Sequence, residues 1–345
     1  MDTPTKLSQS GLDAAPPKQD RMMKVAQVTE LKGPQAVEVS NIPIPTPGPG
    51  EILIEVSHAG VNFPELLQTR GLYQNVPDVP FVVGTEAAGV VVEVSEGSKF
   101  SVGDRVVAMP GVGGFAEYVK VAEDRVLKLP DNVSLAHAAA MIINVLTADL
   151  ALRVRGNLQP GQTVLVHGAA GGLGSAGVQL ALAMGAEVVA VVSTDDKAAV
   201  VQELGATHVV KVENFKDAVH SIYPDGVDIV FDPVGGDRFT DSIRALKPLG
   251  RVQVLGFSSG DIPTVKVNRL LLKNVSVEGV ALGEARAVIP GLIQDQWSAL
   301  TDHLVAGKLN PPIQATYPIE QAGEALAVLD NRAVLGKILI GMHTE

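Results

Sequence analysis

The stretch TVLVHGAAGGLGSAGVQLALAMGAEVVAVVSTDDK, residues 163–197, decides the fold. TVLVHG is a short Val-rich run of strand character, the Ala/Leu/Gly segment to Met184 is helical, and EVVAVVS is a second strand. Between the first strand and the helix stands His167-Gly168-Ala169-Ala170-Gly171-Gly172-Leu173-Gly174. On Ala169, Gly171 and Gly174 this reads as A-x-G-x-x-G, the dinucleotide fingerprint with alanine in its first slot. Small residues make the tight turn, Gly171 admits the backbone to a pyrophosphate, and Gly174 lets helix and strand pack closely. The helix N-terminus presents free N–H groups and its positive dipole end, so Ala170, Gly171, Gly172, Leu173 and Gly174 form the expected phosphate cradle. At the end of the second strand, where a carboxylate would bind the ribose hydroxyls of NAD, stand Val192 and Ser193. Ser193, Thr194 and Lys197 can bind a 2′-phosphate, whereas Asp195 and Asp196 open the next helix and serve its N-terminus. The expected cofactor is therefore NADPH; read without a ligand, Lys197 is a solvated helix residue.

The alternation continues downstream through the helix DDKAAVVQELG, THVVKV, a helix near 214–222, VDIVFD, a helix near 238–246, RVQVLGF and NVSVEGV. Six strands with intervening helices imply a doubly wound parallel sheet, because parallel neighbours need crossover connections. Upstream, from Met22 to about Leu129, the chain reads as short strands and turns, a compact β-rich domain. SLAHAAAMIINVLTADLAL, residues 134–152, is a long helix that carries the chain out of it. The last segment holds helices around Trp297 and over 322–329 and a final strand GKILIGM, assigned to the first domain because the six-stranded sheet is already complete. The expected layout of this α/β chain is a flexible extension over 1–21, a β-rich domain from 22–145 and 282–345, and a nucleotide-binding domain over 146–281.

Length and composition fit this layout. The 345 residues suffice for about two domains. A hydrophobic share of 46% with mean hydropathy +0.24 excludes global disorder. With 27 Lys+Arg against 38 Asp+Glu the net charge is −11, which argues against an unspecific grip on nucleic acid or an anionic membrane and for a small-molecule partner. There is no cysteine, so disulfides, iron–sulfur clusters, thiol nucleophiles and Cys-ligated zinc are impossible. The first twenty residues lack an apolar run, and His137, Asn144, Thr147 and Asp149 interrupt the apolar stretch 134–152. The expectation is a soluble cytoplasmic protein.

Several segments together resemble the medium-chain dehydrogenase/reductase superfamily and, within it, the zinc-free NADPH:quinone oxidoreductases of the zeta-crystallin kind. They are AGVNFPELLQTRGLY (59–73), GTEAAGVV (84–91), VGDRVVA (102–108), LTA (146–148), QPGQTVLVHGAAGGLG (159–174), ELGATHV (203–209), DPVGG (232–236), LGRVQVLGF (249–257) and RAVLGKILI (332–340). The resemblance implies a GroES-like β-rich catalytic domain beside a Rossmann domain, with the active site in the cleft between them. The zinc alcohol dehydrogenases of this superfamily carry Gly-His-Glu where this chain has Gly84-Thr85-Glu86. What remains is hydride transfer to an acceptor already electrophilic, a quinone or the β-carbon of an α,β-unsaturated carbonyl.

By resemblance, Asn62 stands near the nicotinamide ribose and substrate oxygen, and Thr147 contacts the nicotinamide. Val234, Leu255, Gly256 and Phe257 form the wall behind it, and Lys337 is a further cofactor or active-site contact. Tyr73 matches one of two family tyrosines flanking the substrate slot, able to donate a hydrogen bond; its bland reading is packing. The second tyrosine falls on Leu67, and a third, near the adenosine phosphate in some members, on Val212. His58, near Asn62, lies in a strand with ordinary alternation, and the other histidines show no ligand spacing. The expected activity is metal-free NADPH-dependent reduction of a quinone, with Asn62 and Tyr73 at the reacting atoms. The rivals are an enone or enoyl-thioester reductase, favoured if Arg70, Arg269 and Arg286 converge into a basic pocket, and a non-catalytic NADPH-binding protein. The strand 274–280 is expected to pair across a two-fold axis in a homodimer.

Overall fold

The computed structural model describes residues 21–331 and 334–342. The expected extension, apart from Arg21, and His343 lie outside the described residues. Six parallel strands form one sheet in the order His208–Lys211, Glu187–Val192, Thr163–Val166, Val227–Asp232, Leu246–Val254, Ser276–Gly279. This is the doubly wound order, with the first strand beside the point where the chain reverses direction across the sheet. Every residue of Thr163–Val166 and Val227–Asp232 is buried, as expected of central strands covered on both faces.

The two-residue period of these strands sorts their side chains into two cores. Val164, Val166, Val188, Ala190, Ile229 and Phe231 pack with the helices Gly172–Ala183 and Leu135–Asp149. Leu165, Val189, Val191, Val230 and Val252 point the other way, onto Phe215–Ile222 and Phe239–Ala245. Gly177 brings the first helix against the sheet: a Cβ there would lie 3.0 Å from the Phe231 ring.

A second sheet takes strands from both ends of the chain, in the order Ile313–Pro318, Lys337–Gly341, Glu51–Val61, Ala87–Val94, Arg105–Ala108, Val126–Lys128. Tyr118–Ala122 pairs with the first half of Glu51–Val61 and Lys337–Gly341 with its second half, Ile338 opposite Val61. A smaller sheet of Val37–Pro43, Met22–Val28 and Phe81–Val82 lies beside it. The helix expected over 134–152 runs over Leu135–Asp149 and continues as a π-helical segment, Leu150–Arg155. Ser134 caps it by accepting from the backbone N–H of His137. This helix is long and apolar enough to cross a membrane, but 72% of its apolar window is buried inside the protein. Its side chains join Val107 and Leu127 of one sheet to Val164 and Val166 of the other, so one hydrophobic core runs through both halves.

Candidate active site

A cleft of about 1850 Å³ opens between the two sheets. Its floor is the glycine turn at the end of Thr163–Val166. Gly168 adopts φ +57°, reversing the chain, and Gly174 then packs so tightly that a Cβ would sit 2.1 Å from the Gly168 carbonyl oxygen. Gly171 differs: a Cβ there would meet only the Gly168 oxygen, at 3.4 Å, so its other side is open. An open backbone beside a helix N-terminus suits a pyrophosphate, and the residues present fit a dinucleotide. The turn is also clamped from the opposite domain: Gly336 N–H donates to the Ala170 carbonyl at 2.7 Å.

Asn62, Tyr73, Thr147, Ala170–Gly174, Ser193, Lys197, Val234, Leu255, Gly256, Phe257 and Lys337 all line this cleft. The wall 234–257 is fixed by Asp232, whose carboxylate accepts from the N–H groups of Val234 and Gly235, both at 2.9 Å. Lys197 Nζ donates to Ser193 Oγ at 3.3 Å, holding the two groups together at one end of the cleft. Thr194 departs from expectation: its hydroxyl accepts from the Lys197 backbone N–H and caps the helix Asp195–Glu203. A β-conformation residue directly before a helix uses its side chain this way, and Thr194 is not among the cleft-lining residues. Leu67 and Val212, standing at the family's tyrosine positions, do line the cleft, whereas His58 does not.

Behind the cleft lies a buried polar cluster with no local sign in the sequence. Lys337 Nζ donates to Glu86 Oε1 at 2.8 Å, Asn62 Oδ1 at 2.6 Å and the Val61 carbonyl at 3.2 Å. Glu86 also accepts from Asn62 Nδ2 at 2.8 Å and from the Ile143 N–H at 3.0 Å. All three ammonium protons of Lys337 are thereby used, and the Asn62 amide is held in one orientation by a cation on its oxygen and a carboxylate on its nitrogen. Lys337 thus acts on the cleft through Asn62, while its aliphatic stem supports the cradle: a Cβ at Gly172 would meet Lys337 Cδ at 2.8 Å.

Glu65 is fully buried and accepts from the backbone N–H of Thr85 at 2.9 Å and from its hydroxyl at 2.5 Å. Burial outweighs these donors and holds its carboxyl above the usual carboxylate range. Burial likewise raises the half-buried Tyr73 phenol, reinforced by Glu65 and Glu284, so Tyr73 stays protonated and able to donate.

His167, at the start of the glycine turn, is fully buried, bonded through Nε2 to Ser242 Oγ at 2.8 Å and edge-on to Phe215. Burial lowers its pKa to about 4. The unfolded chain protonates near the ordinary value of about 6.5, so stability is intact above that pH and falls as pH drops from there toward 4. The expected loss is on the order of 3 kcal/mol, read as a falling urea midpoint between pH 6.5 and pH 4. His167→Gln is expected to flatten this slope, and an unchanged slope would contradict the assignment.

The cleft and the parallel sheet define a two-domain, dinucleotide-dependent oxidoreductase architecture. The family model for the alcohol dehydrogenase GroES-like domain matches residues 48–131, and that for zinc-binding dehydrogenases matches residues 172–301. The rat protein "Quinone oxidoreductase-like protein 2" is 36% identical over 330 residues, covering 94% of this chain and 93% of its own. The human synaptic vesicle membrane protein VAT-1 homolog is 32% identical, covering 92% and 86%. A solved quinone oxidoreductase from Escherichia coli, complexed with NADPH, superposes with a TM-score of 0.85 at 28% identity, over 92% of this chain and 99% of that one. The chain belongs to the medium-chain dehydrogenase/reductase superfamily, in its quinone oxidoreductase-like branch.

Proposed function

We propose that this protein is an NADPH-dependent reductase that delivers hydride to a conjugated carbonyl, a quinone in the first instance, without a metal ion. The observation that carries the reading is the pairing of the glycine cradle with Asn62, Thr85 and Tyr73 across one cleft, in a chain with no cysteine and with Thr85 where the zinc enzymes have histidine. NADPH, when bound, supplies a hydride from C4 of its nicotinamide. The chain's part is to orient and to stabilise charge. Asn62, locked by Lys337 and Glu86, presents a fixed amide edge to the cofactor ribose and acceptor oxygen. Hydride arriving at the acceptor leaves negative charge on its carbonyl oxygen, where the protonated Tyr73 phenol donates a hydrogen bond. The apolar wall of Val234, Leu255 and Phe257 keeps water from the reacting face.

The test is turnover of an ortho-quinone, a para-quinone and a simple enone by chelator-treated protein. Quinone turnover supports the reading, enone turnover alone moves the chemistry to the double-bond reductases, and NADPH binding without any turnover favours a non-catalytic role. Preference for NADPH rests on Ser193 and Lys197 and on the absence of a carboxylate at the second strand's end. Lys197→Ala is expected to raise KM for NADPH about tenfold, by losing one charge-assisted hydrogen bond, while leaving KM for NADH unchanged. A parallel rise for both cofactors would contradict this role.

We also propose a homodimer through the sheet's end strand, Ser276–Gly279, flanked by exposed Leu249, Leu271 and Leu272. Sedimentation at micromolar concentration checks it, a monomer being the contradicting result.

A further inference from the structure

The Arg70, Arg269, Arg286 convergence does not form. Arg70 is tied to Asp330, at 3.0 and 2.5 Å, and Arg269 is not a cleft residue. A different pair takes its place. Arg125, just before the strand Val126–Lys128, and Arg286, on the segment that leaves the sheet after Ser276–Gly279, both line the cleft. The helix following Arg286 docks beside Arg125, with Gln294 Nε2 donating to the Asp124 carbonyl at 2.9 Å. Arg125 and Arg286 thus line one cleft on elements that pack together, and burial lowers the Arg286 pKa, with the charge of Arg125 adding to it.

Neither arginine forms an ion pair among the described residues. Arg125 has one long bond, to the Pro110 carbonyl at 3.4 Å, and its buried Nε has no partner. Asp124, next to Arg125 in the chain, and Glu284, two residues before Arg286, are exposed; Asp124 offsets part of the charge felt by Arg286 without forming an ion pair with it. Two like charges in one cleft, with spare donors on Arg125, are stabilised by an anion bound there.

The cofactor's adenosine end does not account for them. Arg286 leaves the last strand of the sheet, whereas Ser193 and Lys197 follow the strand four places away, about 19 Å at roughly 4.8 Å per strand. Arg125 is instead bonded to the Pro110 carbonyl and, through its own carbonyl, to the Met109 N–H, both cleft residues, while Glu284, two residues before Arg286, acts electrostatically on Tyr73.

We propose that Arg125 and Arg286 form an oxyanion-binding subsite for the acceptor, so that the preferred substrate is a conjugated carbonyl carrying a carboxylate or phosphate on its tail. The inference rests on the reductase reading for the identity of the acceptor, but the subsite stands on its own geometry. The pair binds the tail and takes no part in hydride transfer.

The experiment compares three matched enones, 4-phenylbut-3-en-2-one and its para-carboxylate and para-phosphate analogues, with wild type, Arg286→Gln and Arg125→Gln. The expected result is a kcat/KM at least about tenfold higher for one or both anionic enones, expressed in KM, falling to the neutral enone's value in either variant. Carboxylate preferred over phosphate, or the reverse, assigns the natural tail. Equal turnover of all three by wild type overturns the subsite and leaves the reductase reading intact. Should none of the three enones be reduced, calorimetric binding of the carboxylate analogue to the NADPH-loaded protein decides: binding lost in Arg286→Gln keeps the subsite whatever the quinone assays give for the reductase reading, and no binding overturns it.

Discussion

Gly174→Ala is expected to abolish useful NADPH binding. The new methyl carbon would lie 2.1 Å from the Gly168 oxygen, 2.7 Å from its carbonyl carbon and 2.8 Å from Ala169 Cα, all backbone atoms that have no rotamer to yield. The turn must open, moving the helix N–H groups off the pyrophosphate. Loss of two such hydrogen bonds to a charged ligand lowers affinity by about a hundredfold or more. Gly171→Ala separates the cofactor's needs from the fold's. Its φ of −84° suits alanine and the nearest non-neighbouring atom is 3.4 Å away, so the fold keeps its melting temperature while the methyl group occupies the phosphate's approach. Fluorescence titration with NADPH beside thermal melting reads both, and Gly171→Ala with wild-type affinity would mean the cofactor does not approach this turn.

Lys337→Met is expected to destabilise the protein by about 3–5 kcal/mol, the usual consequence of leaving one partner of a buried ion pair alone. Glu86 is fully buried, and it would keep only the Asn62 amide and the Ile143 N–H. The double variant Lys337→Met with Glu86→Gln removes the stranded charge and is expected to recover a large part of the loss. A double-mutant cycle from urea unfolding measures the coupling. A sum of the two single effects in the double variant would show that the pair is not coupled.

The nucleotide-binding half was legible because its signals are local. Val-rich strands, Ala-rich helices and the turn 167–174 each announce themselves within a few residues, and their order dictates a parallel sheet. The return of Lys337–Gly341 to the sheet of the β-rich domain followed by elimination. The strand Ile313–Pro318 was not anticipated, since it is half-exposed along its length and prolines stand before it and at its end. Long-range charge pairing left no trace: Glu86 and Lys337 are 251 positions apart, and Arg125 and Arg286 share a cleft only once the chain has folded. Thr194 shows how a hydroxyl at a strand's end suits a phosphate and a helix cap alike: its oxygen accepts from the Lys197 N–H and caps the following helix.

The most direct measurement is a single turnover. NADPH stoichiometric with chelator-treated protein is mixed with 1,2-naphthoquinone, and absorbance at 340 nm is followed against the same mixture containing NADH or no protein. Rapid loss of the NADPH signal, slower with NADH and negligible without protein, is the predicted result. A NADPH complex that forms yet decays no faster than free NADPH, with this quinone or with enones, would contradict the reductase assignment.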